Sequence, residues 1–235
     1  MLRSQEGRGA VGRTIFGVLS GSPEHKTFVL SRKWSSQDHV LAVDYSDIAQ
    51  LVSILEANDI DTIICAFEVN DSSLSSSQLN LIEAATKSKS VKLLPQLKDH
   101  FEAIEILRES SLQWTVFVNS IFLDYFSPFE MVSYLKPNVF VVDLANNVAG
   151  IPGDGNIPVT FINTFDLAKY VLVILSLDEW PEESQAIGEE LTWNDFALAE
   201  RVKGLQNISP SYHLRLRANS SQERISMYTT PVLIN

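Results

Sequence analysis

The chain has 235 residues, 45% hydrophobic and 20% charged, enough for a sizeable core and an ordinary globular balance. A net charge of -11 excludes the electrostatic footprint of a nucleic-acid binder. A single cysteine, Cys65, excludes an internal disulfide and suits a reducing, cytoplasmic setting.

The first element announces itself at GRGAVG, a G-x-G-x-x-G formed by Gly7, Gly9 and Gly12. Glycines at these positions permit a tight turn, and the amides of the helix that follows point at an anion. VGRTIFGVLSGS continues as that helix, with Ile15, Phe16, Val18 and Leu19 apolar. Only six residues precede Gly7, four of them polar (Arg3, Ser4, Gln5, Glu6), so the buried strand that usually leads into such a loop is not legible here.

KTFVLSR (26–32) and HVLAVDY (39–45) are compact apolar runs and predict strands. SDIAQLVSILEANDI predicts a helix capped by Ser46 or Asp47. DTIICAF (61–67) predicts a third strand with Cys65 buried and inert inside it. VNDSSLSSS reads as a loop, SQLNLIEAATKS as a helix and VKLLP as a short strand. QLKDHFEAIEILRES predicts a helix and LQWTVFVNSIF (112–122) one strand. Continuous apolar strands alternating with helices point to a parallel sheet covered on both faces. The loops after residues 31, 44, 66 and 95 are then expected to line one cleft, beyond the carboxyl ends of the strands.

The second half is less regular. VFVVDLA (139–145) predicts a strand, and the turn-rich NNVAGIPGDGNIPVTF leads into another. NTFDLAKYVLVILS (163–176) predicts a helix capped by Asn163 or Thr164. LTWNDFALAERVKG (191–204) predicts a second, with Thr192 or Asn194 as cap. Trp180, Trp193 and Phe196 are expected to form one small apolar satellite, and the tail from Leu205 shows no sustained period. No apolar run has the length of a membrane span, and no secretory h-region opens the chain. The four histidines, at 25, 39, 100 and 213, have no metal-ligand spacing, so no metal site is expected.

A strand ends at LSRK about 20 residues past the last glycine, the point that faces the adenine ribose in a dinucleotide fold. An acid there would select NAD. Ser31, Arg32 and Lys33 instead fit a 2'-phosphate and favour NADP; a solvated basic strand end is the alternative reading.

GRGAVGRTIF, FVLSRK, VDYSD, IDTIICAF and QLNLIEAATKSKSVKLLP together resemble the NmrA-like branch of atypical short-chain dehydrogenases, which includes isoflavone-reductase-like enzymes. LRESSLQWTVFVNSIFLDYF, IPGDGNIPVTFINTFDLAKYVLVIL and WPEESQAIGEELTWNDFALAE extend the resemblance to about Gly204 and look like its fungal members. It implies an α/β, Rossmann-like doubly wound parallel sheet with a small α+β C-terminal substrate region. Residues 1–122 would form the NAD(P)-binding core and 123–235 a substrate or cap region interleaved with it. It also implies cofactor contacts at Gly7, Gly9, Val11, Gly12, Ser31, Arg32, Lys33, Ala66 and Phe67.

The departures are equally specific. The family's first loop glycine corresponds to Glu6, and the Ser-Glu loop expected after VKLLP is absent at Pro95. The family's C-terminal region is longer than the tail here. No Tyr is followed four residues later by Lys, so the usual dyad of short-chain dehydrogenases is missing. The counterpart of the branch's acid–base lysine is Lys98; a surface charge is the plainer reading of the same residue. Asp124 and Tyr125 follow a strand's carboxyl end and are candidates for substrate contact, or else a helix cap and a packed ring.

The expectation is an NADPH-preferring oxidoreductase acting on a small, secondary-metabolite substrate, with neither nucleic acid nor membrane as partner. The alternatives are a dinucleotide-binding regulator that contacts a protein partner, and a truncated inactive product.

Overall fold

Helices cover both faces of a parallel α/β sheet, and strand β3 (Thr62–Ile64) shows why. Ile63 and the following Cys65 belong to one core cluster, whereas Ile64 and Ala66 pack into another. Successive side chains of a strand point to opposite faces, so a wholly apolar strand must be covered twice. The computed structural model describes residues 9–37, 39–66, 73–88, 92–94, 100–126, 132–143, 146, 148–197, 213–218 and 221–226.

Helix α1 (Ala10–Ser20) opens the described chain, followed by β1 (Val29–Ser31), β2 (Val40–Ala42) and α2 (Ile48–Ala57). Asp47 caps α2, its carboxylate accepting from the Gln50 amide at 2.9 Å. After β3 come α3 (Ser73–Lys87), β4 (Lys92–Leu94) and α4 (His100–Glu109). β1 pairs with β2 in parallel, and β3 pairs with β4 in parallel. Among the described residues no ladder joins β1 to β3. One cluster packs the α2, α3 and α4 side, with Leu51, Leu55, Ile82, Leu93 and Leu107 at its centre.

The run expected as one strand over 112–122 is three: β5 (Gln113–Trp114), β6 (Val116–Asn119) and β7 (Ile121–Phe122). Each has its own partner. β5 continues the β3–β4 sheet, β6 pairs with β11 (Glu183–Ile187), and β7 pairs with β10 (Pro158–Ile162), all in parallel. The breaks fall at Thr115 and Ser120, whose hydroxyls are buried and satisfied across the interface. Thr115 Oγ1 lies 2.7 Å from Ser184 Oγ, and Ser120 Oγ donates to the Ala186 carbonyl at 3.1 Å.

A 3-10 turn (Leu123–Phe126) follows β7, then β8 (Val142–Asp143) and β9 (Val148–Ala149), an antiparallel pair shorter than the strand expected over 139–145. β10 leads into α5 (Thr164–Leu175), capped as expected by Asn163, which accepts from the Phe165 amide at 2.8 Å. α5 packs on α1 through Leu167, Ala168, Val171 and Ile174 against Ile15 and Leu19.

At Gly188 the chain leaves β11 and enters β12 (Glu189–Thr192), antiparallel to β10. The Gly188 amide donates to the Phe161 carbonyl at 3.0 Å, and a Cβ there would stand 2.6 Å from that oxygen, so only glycine fits. The helix expected over 191–204 therefore begins after a strand. Helical residues run over 193–197, and residues 198–204 lie outside the described residues. Thr192 caps this turn, its hydroxyl accepting from the Asp195 amide at 3.0 Å. Trp193 and Phe196 join Phe126 and Phe161 in an aromatic cluster, whereas Trp180 packs with α1 and α5 instead. The tail, without a legible period, supplies β13 (His213–Ala218) and β14 (Ser221–Ser226), an antiparallel hairpin on the edge of β11. Among the described residues no helix is long and apolar enough to cross a membrane.

Candidate functional site

The candidate site lies where the amino end of α1 meets the carboxyl end of β3. Gly9 is the N-cap of α1, and the Arg13 amide donates back to the Gly9 carbonyl at 3.0 Å. The amides that open a helix have no carbonyl within it to receive them, and they carry the positive end of its dipole. No acidic side chain occupies this first turn. Gly12 lies directly on Ala66: a Cβ at Gly12 would stand 3.4 Å from both the Ala66 Cβ and its carbonyl oxygen. Gly9, Val11, Gly12 and Ala66 are thus brought together. Gly7 and Phe67 lie outside the described residues.

Ser31, Arg32 and Lys33 stand at the carboxyl end of β1, Arg32 and Lys33 exposed. The Ser31 carbonyl accepts from Val43, and its hydroxyl accepts from the Lys33 amide at 3.1 Å, so the basic turn has a defined start. Tyr45 lies beneath it, donating to the Leu30 carbonyl at 3.3 Å. Burial pushes the Tyr45 hydroxyl well above its ordinary pKa, and the neighbouring Arg32 charge opposes that rise. Phe16 of α1 stacks on His39 at 4.9 Å, which ties the β1–β2 unit to α1. Cys65, one residue before Ala66, is fully buried, and burial pushes its thiol up to about 12, so it is no nucleophile at neutral pH.

On the other side of α1, Arg13 reaches the chain beyond β7. Its guanidinium lies 4.3 Å from the centroid of the Tyr134 ring. The adjacent Ser133 donates to Asp124 Oδ1 at 2.6 Å. Asp124 is 1% exposed and also accepts from the Thr164 amide at 2.9 Å and the Thr164 hydroxyl at 2.6 Å. Both carboxylate oxygens are engaged by Thr164 at the start of α5, and Oδ1 also by Ser133. Tyr125, half-buried, packs edge-on against Phe122, and its carbonyl accepts from the Asn138 amide at 3.1 Å. Lys98 lies outside the described residues.

Arg13, Ser133 and Tyr134 were not singled out in the sequence. The available signal was Arg13 itself, since a cation near a helix amino end is unfavourable unless an anion or an aromatic face receives it.

The chain is 30% identical over 222 residues to oxidoreductase BOA1 of Botryotinia fuckeliana, covering 84% of this chain and 74% of that protein. The chain belongs to the same oxidoreductase family. Oxidoreductase swnN of Metarhizium robertsii is 29% identical, over 84% of this chain and 72% of its own length. No family model matches the chain. Among solved structures, a nucleoside-diphosphate-sugar epimerase from Staphylococcus aureus superposes with a TM-score of 0.62 at 17% identity, covering 82% of this chain and 72% of that one. The triphenylmethane reductase of Citrobacter sp., solved with NADP(H), gives 0.58 at 14% identity, over 83% and 73% of the two chains. The fold is therefore the Rossmann-like fold of NAD(P)-binding epimerases and reductases.

Proposed function

We propose that this protein is an NADPH-dependent oxidoreductase of the NmrA-like, isoflavone-reductase-like type that reduces a small organic, secondary-metabolite substrate in the cytoplasm. The observation that carries the reading is the seat of Gly12 on Ala66, which sets the amino end of α1 over the carboxyl end of a parallel strand. That edge is where such sheets hold a dinucleotide. The names of the fungal relatives, both oxidoreductases, support the chemistry.

The residues present fit a dinucleotide. The amides that open α1, with Gly9, Val11 and Gly12, would hold the pyrophosphate, and Ala66 and Phe67 would flank it. Ser31, Arg32 and Lys33 would receive a 2'-phosphate, which is the ground for preferring NADPH. When bound, the cofactor supplies a hydride. Lys98 is proposed to supply the matching proton, and Tyr125 to face the substrate. Asp124 is proposed to serve the substrate side through its hydrogen bonds to Ser133 and Thr164. Residues 1–122 would form the cofactor half and 123–235 the substrate half.

The test is NADPH consumption by the purified chain against a panel of small ketones, aldehydes and enones, with NADPH binding measured in parallel. Turnover that is lost in Lys98→Ala while binding persists supports the assignment. Binding without turnover on any substrate favours a regulator that senses NADP. A cooperatively folded chain that neither binds nor consumes NADPH refutes the reading.

A further inference from the structure

Of the four tryptophans, three are buried: Trp114 is 7% exposed, Trp180 8% and Trp193 5%. Trp34 is 80% exposed. A tryptophan offers the largest apolar face of any side chain, and leaving that face in water forfeits its burial free energy. Its position is specific. It directly follows Arg32 and Lys33, in the turn that leaves the carboxyl end of β1. The protein as a whole carries a charge of -11, so this adjacent pair of cations is a local reversal of sign. An exposed aromatic face beside two cations has the chemistry of a receptor for a heteroaromatic ring that carries phosphate.

We propose that Trp34 is the stacking platform for the adenine ring of the dinucleotide, with Arg32 and Lys33 beside it on the phosphate. This rests on the cofactor assignment above and adds a residue to it. Base–aromatic stacking tolerates any base, so Trp34 contributes affinity for the adenosine half and the cations contribute the choice of phosphate. The parallel pairing of β1 with β2 and the Phe16–His39 stack hold this turn in the same unit as α1. The adenosine half therefore has its own anchoring site, apart from the nicotinamide end.

The test uses the full chain and two probes, 2',5'-ADP and nicotinamide mononucleotide. Trp34 is the tryptophan that iodide reaches, so the iodide-quenchable share of the fluorescence reports on it. Saturating 2',5'-ADP is expected to remove most of that share, and nicotinamide mononucleotide is expected to leave it. By calorimetry, Trp34→Ala should weaken 2',5'-ADP roughly five- to a hundredfold, and Trp34→Phe should stay within about threefold of wild type. Both variants should melt as wild type does, because the side chain is exposed. Wild-type binding of 2',5'-ADP with unchanged quenching, or with unchanged affinity in Trp34→Ala, overturns the stacking role alone. A folded wild-type chain that binds neither 2',5'-ADP nor NADPH overturns the cofactor assignment and this inference with it.

Discussion

The Arg13 guanidinium lies over the Tyr134 ring at 4.3 Å, joining the first turns of the glycine-loop helix to a segment far along the chain. Ser133 beside it is bonded to Asp124, and Asp124 to Thr164 at the start of α5. The first turns of α1 and the start of α5 thus share one continuous set of contacts. Arg13 and Tyr134 are both half-buried, a setting in which a cation–π pair contributes about 0.5–2 kcal/mol. A double-mutant cycle with Arg13→Ala and Tyr134→Ala, read by urea unfolding, should give a coupling of that size. Tyr134→Phe should keep it, and a coupling of zero would show the stack to be incidental.

Asp124 is the most heavily engaged member of that set. Asp124→Ala leaves the Thr164 amide, the Thr164 hydroxyl and the Ser133 hydroxyl without their acceptor in a buried place. The expected loss is about 3 kcal/mol of stability. Asp124→Asn keeps one acceptor oxygen and should lose less, about 1–2 kcal/mol. Equal losses in the two variants would mean that shape, not hydrogen bonding, explains the residue.

Two glycines should answer the same substitution in opposite ways. At Gly188 a Cβ meets the Phe161 carbonyl at 2.6 Å and the Ile162 Cα at 3.2 Å, both backbone atoms that cannot swing aside. Gly188→Ala should therefore cost about 1–3 kcal/mol. At Gly12 the nearest atoms stand at 3.4 Å, an ordinary contact, and alanine is the better helix former. Gly12→Ala should be neutral or stabilising by up to about 1 kcal/mol. Chemical denaturation of both variants decides it.

Alkaline pH should destabilise the protein through its buried acids. The Cys65 thiol is raised from 9.0 to about 12 by burial. Above pH 9 the unfolded chain therefore loses this proton while the folded chain keeps it, and the folded state binds more protons. Stability is full below pH 9 and falls as pH rises from 9 towards 12. Tyr45 and Tyr170, whose hydroxyls burial also raises, add to the fall above their ordinary value of 10.0. Cys65→Ala should flatten the first part of the curve, measured as the urea midpoint against pH. A wild-type midpoint independent of pH over this range would contradict the burial argument.

What was legible in the sequence was local. The caps Asp47 and Asn163 sit at the starts of apolar-periodic runs, and both α2 and α5 begin where those residues require. The continuous apolar run at 61–67 announced a strand covered on both faces. What was not legible depends on distant partners. Nothing in LQWTVFVNSIF says that its three parts serve three ladders, because the breaks are set by Ser184 and Ala186 on another strand. The tail lacks a period, yet β13 gains its ladder from β11. Leu191 and Thr192 carry a helical pattern, but pairing with Val159 and Pro158 holds them extended. Gly9 and Gly12 stand out as a sequence motif, whereas Tyr134 meets Arg13 only once the chain has folded.

The central claim is that the basic end of β1 and the amino end of α1 form an NADPH site. Calorimetric titration of the full chain with NADPH and NADH, repeated on an Arg32→Ala/Lys33→Ala variant, tests it most directly. The expected result is tighter binding of NADPH than NADH by the wild type, and loss of that preference in the variant with NADH affinity little changed. NADH binding as tightly as NADPH to the wild type, or a preference that survives the loss of both cations, would contradict it.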